Sequence, residues 1–419
     1  MSSTVVSKVS KKVIAAWSSY DFSTSGYSGI MVTFVFPLYY RNTIVTNPLH
    51  GDRDWGITLS LSMLLVALVT PLLGAMADVL HNKKMFLGVF TALTISCTLG
   101  IYFMQPGMVL LASALFILAN FGYEGGTVFY DAFLPEITTP ATFGRVSGLG
   151  FASSYFGSLL ILFVIYPFVE NSKPTTFLIS AAFFLIFSMP FFLVVPEVRR
   201  REKVGFVPLV QRGFGQLRTT ISHIRKYKDV TRFLLAFFLY NDAILTVVLF
   251  SANFADATLH FKATEMAEWY ALVQVVAIVG SILFGRFADR FGPKRAITIT
   301  LIIWIGVVVA SYFAQTKTEF FIIGGIAGIA LGSSQSCSRS LMALLTPPEN
   351  AAEFFGFYDG FCGKASAILG PLVFGLLSEA FGNQRPAIIA LGAFFVIGLV
   401  LLRRVKEQRA VPVLATVSG

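Results

Sequence analysis

The stretches GAMADVLHNKK at residues 74–84 and GRFADRFGPKR at residues 285–295 are two copies of one short turn. Each begins with Gly-x-x-x-Asp, and two cations stand five and six residues after the aspartate. The two aspartates, Asp78 and Asp289, lie 211 positions apart in a chain of 419 residues, and long apolar segments flank both turns. A charged turn repeated at half the chain length predicts a protein built from two similar halves.

The composition predicts a membrane protein. The chain is 55% hydrophobic and only 13% charged, whereas soluble domains carry about 25% charged residues. A run of about 20 apolar residues spans a hydrocarbon core of ~30 Å, and backbone groups in lipid must be satisfied within the segment, as in a helix. We therefore predict an all-α membrane protein with twelve transmembrane helices, helix 1 to helix 12, in two pseudo-symmetric six-helix halves. The predicted spans are 13–40, 55–79, 84–104, 107–133, 143–169, 175–196, 230–255, 265–288, 295–314, 318–345, 352–379 and 385–403.

The distribution of the basic residues predicts the topology. The net charge is +10, which by itself is compatible with a nucleic-acid partner. However, few of the 32 Lys and Arg fall on the loops of one side, so the positive-inside rule places both termini in the cytoplasm. We expect an integral membrane protein with helix 1 retained, lipid as its surroundings, and no nucleic-acid partner. The basic residues on the predicted outer loops are Arg41, Arg53, Lys173, Lys262, Lys317 and Arg385.

The reactive side chains do not form a pattern typical of an enzyme. Three cysteines and four histidines occur at unrelated spacings, without the regular spacing of a metal site or a disulfide framework. No nucleophile stands beside a base in a recognisable motif. We expect no enzymatic activity, no metal and no cofactor.

A polar segment at 197–229 divides the chain. We predict an N-terminal half at 1–196, a linker at 197–229, a C-terminal half at 230–404 and a cytoplasmic tail at 405–419. Apolar residues recur in the linker at helical spacing, with arginines between them. This pattern predicts an amphipathic helix that either lies on the inner leaflet or packs against the helix bundle. The stripe consists of Val210, Phe214, Leu217, Ile221 and Ile224, and the arginines are Arg212, Arg218 and Arg225.

The repeat extends beyond the charged turns. At the offset of 211, Glu124 in helix 4 corresponds to Gln335 in helix 10. Between helices 1 and 7 the offset becomes 220, so that Tyr20 corresponds to Tyr240. Halves related in this way are typical of transporters with parallel repeats about an axis along the membrane normal.

The turns resemble the signature of the major facilitator superfamily, approximately G-x-x-x-D-R-x-G-x-K-K between helices 2 and 3. The second copy fits closely, whereas the first has Val79 after its aspartate and His81 at the usual glycine. Residues 16–21, 233–242 and 354–358 resemble the vacuole-effluxer branch, which is named after fungal autophagy-related exporters of amino acids and has bacterial members. The resemblance implies a monomeric secondary transporter in a bacterial inner membrane, with helices 1, 4, 7 and 10 around a central cavity.

In such a transporter the repeated turn has a mechanical role. An aspartate at the end of helix 2 or helix 8 can accept hydrogen bonds from the N-terminus of a neighbouring helix, whose dipole favours an anion. The alternative is a static, solvated turn. Arg339 lies near the cytoplasmic end of helix 10. We expect its side chain either to extend to the membrane–water interface or to brace Asp289. The predicted gating residues are Gly74, Asp78, Lys83, Lys84, Gly285, Asp289, Arg290, Lys294, Arg295 and Arg339.

Ionisable residues within the spans form the second candidate site. Such residues are costly in a membrane and are therefore functional candidates by default. Asp21, Glu124 and Asp242 as anions, with Lys364 as a cation, suit a zwitterionic substrate, and the same acids could carry a driving proton. The alternative for each acid is a structural ion pair. The predicted substrate or proton residues are Tyr20, Asp21, Glu124, Tyr240, Asn241, Asp242, Gln335, Asp359 and Lys364.

These features together predict a secondary active transporter that works by alternating access, coupled to protons, for a small polar or zwitterionic metabolite. The resemblance favours amino-acid efflux. A transporter of a siderophore or a drug-like amphiphile is the alternative substrate class. A membrane sensor or scaffold that transports nothing is the alternative from another class.

Overall fold

The computed structural model describes residues 10–47, 50–169, 172–197, 205–222, 224–366, 369–382 and 384–407. Helices dominate these residues, and eleven of the helices are long and apolar enough to cross a membrane. They correspond to the predicted helices 2 to 12. The chain is therefore an all-helical membrane protein, as predicted.

The predicted helix 1 is not among these eleven helices, and it is helical in a modified form. Helical backbone is continuous from residue 11 to residue 44, but π-helical segments at Ser28–Phe34 and Tyr40–Ile44 interrupt the α-helical segments Lys11–Tyr27 and Val35–Tyr39. The longest α-helical segment has 17 residues and is rich in serine and threonine, so it is shorter and more polar than the other spans. Because π-helical turns often occur at functional sites, this helix differs from a plain membrane anchor.

The remaining helices follow the predicted order. In the first half, helix 4 is followed by a short helix, Leu134–Ile137. Helices 2 to 6 are Gly51–Leu80, Lys83–Ile101, Val109–Asp131, Phe143–Val169 and Lys173–Val194. Helices 7 to 10 are Lys228–Leu259, Ala263–Phe291, Pro293–Phe313 and Lys317–Leu345. Helix 11 comprises Ala351–Phe355, a π-helical segment Gly356–Cys362, Gly363–Ala365 and Leu369–Phe381, and helix 12 is Gln384–Arg403.

Two helix pairs join the halves by close backbone contact. Helix 5 packs against helix 8, and helix 2 packs against helix 11. Glycines permit both contacts: a Cβ on Gly285 would lie 2.6 Å from the carbonyl oxygen of Gly144, and one on Gly356 would lie 2.8 Å from that of Thr70. A Cβ on Gly74 would meet the carbonyl of Ala352. Small residues at helix crossings allow this kind of approach in membranes, so both motif glycines, Gly74 and Gly285, have a packing role.

The two charged turns both have a residue of positive φ at the equivalent position, directly after the helix. His81 closes helix 2 in the left-handed conformation, with φ of 49°. Gly292, at the equivalent position after helix 8, has φ of 103°. Glycine reaches positive φ without steric cost, whereas histidine does so less easily. The first copy therefore keeps the positive φ without the glycine, but His81 has ψ of 42° whereas Gly292 has ψ of 140°, so the two turns differ in shape.

The linker contains the predicted helix, Phe206–Ser222, followed by a 3₁₀ turn, Ile224–Tyr227. We call Phe206–Ser222 the linker helix. It packs against helix 2, where Gly213 lies close to Leu72 and Met76, as the second of the two alternatives predicts. The predicted stripe coincides with the packed face only in part, because Val210 packs against the core whereas Phe214 and Ile221 are exposed. Residues 198–204 and 223, and the side chains of residues 224 and 225, lie outside the description; the predicted division of the chain into two halves, linker and tail stays a prediction.

Candidate gating and transport sites

The first charged turn forms a contact between the halves, which we call the first latch. Asp78, at the end of helix 2, is buried and accepts hydrogen bonds from the backbone N–H groups of Ala352, at 3.1 Å, and Glu353, at 2.8 Å. These donors are at the N-terminus of helix 11, where free N–H groups and the helix dipole favour an anion. Lys83 lies 3.8 Å from Asp78 and forms an ion pair of 2.7 Å with Glu136. The hydrogen bonds of Asp78 with Ala352 and Glu353 thus join helix 2 to helix 11.

The second charged turn forms the equivalent latch. Asp289, at the end of helix 8, accepts hydrogen bonds from the backbone N–H groups of Gly144, at 2.8 Å, and Arg145, at 3.3 Å. The Arg145 side chain adds an ion pair of 2.7 Å. These donors lie at the N-terminus of helix 5, so each half presents an aspartate to a helix N-terminus of the other half.

In each turn one of the two cations caps a helix, the second cation in the first turn and the first cation in the second turn. Lys84 Nζ donates to the carbonyl of Val195 at 2.7 Å, just after helix 6. Lys294 Nζ donates to the carbonyls of Arg403 and Val405, at 2.9 and 2.6 Å, at the end of helix 12. Cations are favourable at helix C-termini. Of the other predicted gating cations, Arg295 is exposed, and the Arg290 guanidinium lies 5.1 Å from the ring of Phe291.

Arg339 occupies the interface between the halves. Its Nη1 donates to Asp21 Oδ2 at 3.0 Å and to Asp131 Oδ1 at 2.8 Å. Its Nη2 and Nε donate to the backbone and hydroxyl oxygens of Ser147, at 2.9 and 3.0 Å. One guanidinium on helix 10 thus joins helices 1, 4 and 5 of the other half, in a geometry that uses the fixed donors of arginine.

Aromatic rings enclose this guanidinium. Its carbon lies 4.1 Å from the ring centre of Phe151, 4.8 Å from that of Trp17 and 5.8 Å from that of Tyr130. Arg339 is 1% exposed, so these cation–π contacts occur in a desolvated site, where they are strongest. Arg339 was predicted to brace Asp289 or to extend to the membrane–water interface. The structure differs, because the guanidinium is buried and its carboxylate partners are Asp21 and Asp131.

A second ion pair crosses between the halves. Lys364 Nζ on helix 11 lies 2.5 Å from Glu124 Oε2 on helix 4. Asp359 lies in the π-helical segment of helix 11, and its side chain interacts with both Lys364 and Asp131. No donor group among the described residues reaches its buried Oδ2. We use the term charged network for the residues that these contacts connect, Asp21, Glu124, Asp131, Arg339, Asp359 and Lys364.

The chain can now be assigned to a family. The family described as "Vacuole effluxer Atg22 like" matches residues 56–143 and 139–413. The chain belongs to that family. This Atg22-like protein is 31% identical to an uncharacterised MFS-type transporter, YxiO, of Bacillus subtilis, over 95% of this chain and 96% of the relative. It is 26% identical to autophagy-related protein 22 of Kluyveromyces lactis, over 63% of this chain and 58% of the relative.

Solved structures confirm the fold. The human organic anion transporter MFSD10 superposes with a TM-score of 0.77 at 15% identity, over 94% of this chain and 99% of that one. A bacterial homologue of the iron transporter ferroportin, in an outward-facing state, gives 0.71 at 13% identity, over 95% and 100%. The Atg22-like chain has the major facilitator fold and is a membrane transporter.

Most of the remaining predicted residues of the Atg22-like chain form contacts only with other residues of their own half among those described. Tyr20 shares a hydrogen bond of 2.8 Å with Thr91, and its counterpart Tyr240 shares one of 2.7 Å with Ser338. Both tyrosines are buried and help to hold their own helix bundles together. Their placement favours a packing role over contact with a substrate.

The polar group of helix 7 forms its own cluster. Asn241 accepts from Gln335 at 3.1 Å and donates to Ser366 at 2.8 Å. Asp242 is completely buried; no side chain among the described residues donates to it, and the backbone of Gly370 faces it. The structure therefore separates Asp242 from the charged network.

One member of the charged network escaped the prediction. Asp131 is not among the predicted site residues; it lies at the end of helix 4, outside the apolar centre of the span. A buried arginine needs carboxylate partners, and this requirement is the signal in the sequence that could have identified Asp131.

Proposed function

We propose that the protein is a secondary active transporter that works by alternating access and is coupled to protons. The proposed substrate is a small zwitterion, and amino-acid efflux is favoured because the family carries the name of a vacuole effluxer. The observation that carries the proposal is the ion pair between Glu124 and Lys364, which joins the halves at 2.5 Å.

This ion pair is chemically complementary to an amino acid. A substrate ammonium can replace Lys364 at Glu124, while the substrate carboxylate takes the ammonium of Lys364. The pair has lost part of its hydration, since Glu124 is 7% exposed, and desolvated pairs need their partners to offset that loss. A zwitterion supplies both partners at once, whereas a singly charged molecule leaves one of the two groups unpaired.

The charged network supports proton coupling. It contains four carboxyl groups and two cations, so full ionisation leaves an excess of negative charge that is costly away from water. Asp359 Oδ2 is buried, and no donor group among the described residues reaches it, so a proton on this carboxyl group would remove the cost of an unsatisfied buried charge. The network therefore contains a carboxyl group at which a driving proton can bind.

The latches connect that proton to the transport cycle. If the latched end opens, Arg339 withdraws from Asp21 and Asp131, and the two acids lose the cation that they share. Acids without a cation bind protons more readily. Protonation and opening then favour one another, and a ligand that binds one state better shifts the population toward it.

The experiment is counterflow and gradient-driven transport in proteoliposomes with labelled amino acids. Glu124→Gln and Lys364→Gln should each abolish accumulation, because each leaves one pole of the zwitterion without a partner. Glu268→Gln is the matched control, since Glu268 is exposed near the N-terminal end of helix 8, away from the ion pair. Amino-acid transport that persists in both variants would overturn the substrate assignment, and transport that ignores an imposed pH gradient would overturn the coupling.

A thermal-shift screen distinguishes the alternatives, because a ligand that binds the folded state raises the apparent stability. Stabilisation by siderophores or amphiphiles, and not by amino acids, would move the assignment to the alternative substrate class. Binding without flux in liposomes would favour a sensor.

A further inference from the structure

The linker helix lies across the first latch. At Gly213 it approaches helix 2 so closely that a Cβ would lie 2.6 Å from Met76 Cγ. One turn further, Gln216 Nε2 donates to Glu353 Oε2 at 2.8 Å. Glu353 is the residue whose backbone N–H donates to Asp78. One helix of the linker thus contacts both partners of the latch, helix 2 and helix 11.

Gln216 helps to satisfy a buried carboxylate. Glu353 is 0% exposed, and Asn350 is its other side-chain donor, at 3.3 Å. Hydrogen bonds to buried charged groups are among the stronger ones in proteins. Just after the linker helix, the ring of Tyr227 packs 4.9 Å from that of Phe354, so the linker holds the start of helix 11 at two points.

The linker helix presents a second, apolar face. Val207, Phe214 and Ile221 follow one another at intervals of seven, which places them on one side of a helix. They are 64%, 55% and 53% exposed. Arg218 is exposed beside them, and the exposed Lys226 follows. An apolar stripe beside cations is typical of a helix that lies in a membrane interface.

The position of the helix identifies what covers this face. Leu61, Leu64 and Leu68 are exposed along helix 2, as expected for a surface in contact with lipid. The linker helix contacts helix 2 at Leu72 and Met76, one and two turns beyond Leu68. It therefore lies at the edge of the bilayer, on the side predicted to be cytoplasmic, where anionic headgroups attract Lys and Arg.

We propose that the linker helix is a lipid-dependent clamp on the first latch. The exposed stripe and Arg218 bind an anionic lipid surface, and Gln216 holds Glu353 so that helices 2 and 11 stay joined. Lipid composition then sets how readily the latched end opens. The clamp rests on the alternating access proposed above and adds a regulatory surface to it.

The test measures the opening of the latched end without a substrate. Spin labels replace Ala141 and Glu349, which are exposed in turns of different halves. The spin labels are attached to cysteines introduced at these two positions. The native cysteines, Cys97, Cys337 and Cys362, are buried, so the label reacts with the introduced cysteines and not with the native ones. Distances are measured by electron spin resonance in nanodiscs of phosphatidylcholine alone or with phosphatidylglycerol.

For the protein with the native linker helix, we expect a short distance between the labels at residues 141 and 349 in the presence of phosphatidylglycerol. In phosphatidylcholine alone we expect an additional population with a longer distance. Gln216→Ala should shift the ratio of long to short distances about tenfold in both lipids, because a hydrogen bond to a charged group is lost. Gln211→Ala, an exposed glutamine on the same helix, should behave like the unmodified protein. Phe214→Ser combined with Arg218→Gln should remove the response to phosphatidylglycerol.

Asp78→Asn serves as the reference for an open latch. If Asp78→Asn lengthens the distance and Gln216→Ala does not, the clamp is overturned and alternating access stands. If neither variant changes the distance, alternating access itself is overturned. If Gln216→Ala opens the latch but lipid composition has no effect, the lipid assignment is overturned, and a protein partner on the apolar stripe becomes the explanation to test.

Discussion

Arg339 on helix 10 and Asp21 on helix 1 form an ion pair across the interface of the two halves, with both terminal guanidinium nitrogens 3.0 Å from Asp21 Oδ2. Asp131 on helix 4 shares the same guanidinium. The latches at Asp78 and Asp289 join the halves at the same end of the molecule. The structure is therefore closed at the predicted cytoplasmic end by two backbone latches and one buried ion cluster.

Arg339→Gln should destabilise the protein strongly. The substitution leaves two buried carboxylates without a cation, and breaking a buried ion pair in this way costs about 3–5 kcal/mol. Thermal unfolding in detergent measures the effect. Arg286→Gln is the matched control, since Arg286 is exposed on helix 8. Equal stability of the two variants would contradict a role for the ion cluster in holding the halves together.

Asp289→Asn should open the latched end more than Asp78→Asn. Both aspartates accept two backbone hydrogen bonds, but Asp289 also binds the Arg145 side chain at 2.7 Å, whereas Lys83 stands 3.8 Å from Asp78. Arg145 is 56% exposed at its side chain, so the extra pair adds only about 0–1 kcal/mol. The distance between labels at residues 141 and 349 compares the variants, and the reverse order would contradict the prediction.

Removing both members of the Glu124–Lys364 pair should harm stability less than removing one. A single substitution leaves a partly buried charge without its partner, which costs about 1–3 kcal/mol, whereas the double substitution leaves no charge behind. We expect Glu124→Gln with Lys364→Met to be more stable than Glu124→Gln alone. Unfolding of the three variants gives the coupling energy, and simple additivity would show that the ion pair is not formed in solution.

The extent to which the sequence predicts this structure differs between the latches and the charged network. The aspartates of the turns were predictable, because a motif at the end of a helix fixes their position relative to a neighbouring N-terminus. The partners of Arg339 were not, since Asp21 and Asp131 lie 318 and 208 residues away along the chain. Depth along a helix gives the level of a residue in the membrane, but the direction of its side chain depends on rotation and on π-helical turns such as Gly356–Cys362.

Asp242 lies apart from the charged network, and we propose it as a second proton site, so Asp242→Asn should abolish transport driven by a pH gradient and leave the fold intact. Asp242 is buried and no side-chain donor among the described residues reaches it, so asparagine removes a titratable group of the same shape without breaking an ion pair. Glu379→Gln is the control, as Glu379 is exposed on helix 11. Melting curves and liposome assays check the two parts, and full gradient-driven activity would exclude Asp242 from the coupling mechanism.

Gly285→Ala should weaken the contact between helices 5 and 8. The added methyl group would lie 2.6 Å from the carbonyl oxygen of Gly144 and 3.3 Å from Arg145 Cα. Because these neighbours are backbone atoms, the helices must move apart, and the donors of the second latch, Gly144 and Arg145, move away from Asp289 with them. Overpacking of this kind costs about 1–3 kcal/mol.

Gly306→Ala is the matched control for this substitution. Among the described residues, no atom outside the neighbouring backbone of helix 9 lies within 4 Å of a Cβ at Gly306, which stands within that helix. Replacing an unhindered helical glycine by alanine stabilises a protein by about 0.4–1 kcal/mol. We therefore expect opposite shifts in melting temperature, downward for Gly285→Ala and upward for Gly306→Ala. A longer distance between labels at residues 141 and 349 should accompany only the first substitution, and an unchanged distance would show that the latch tolerates separation of the two helices.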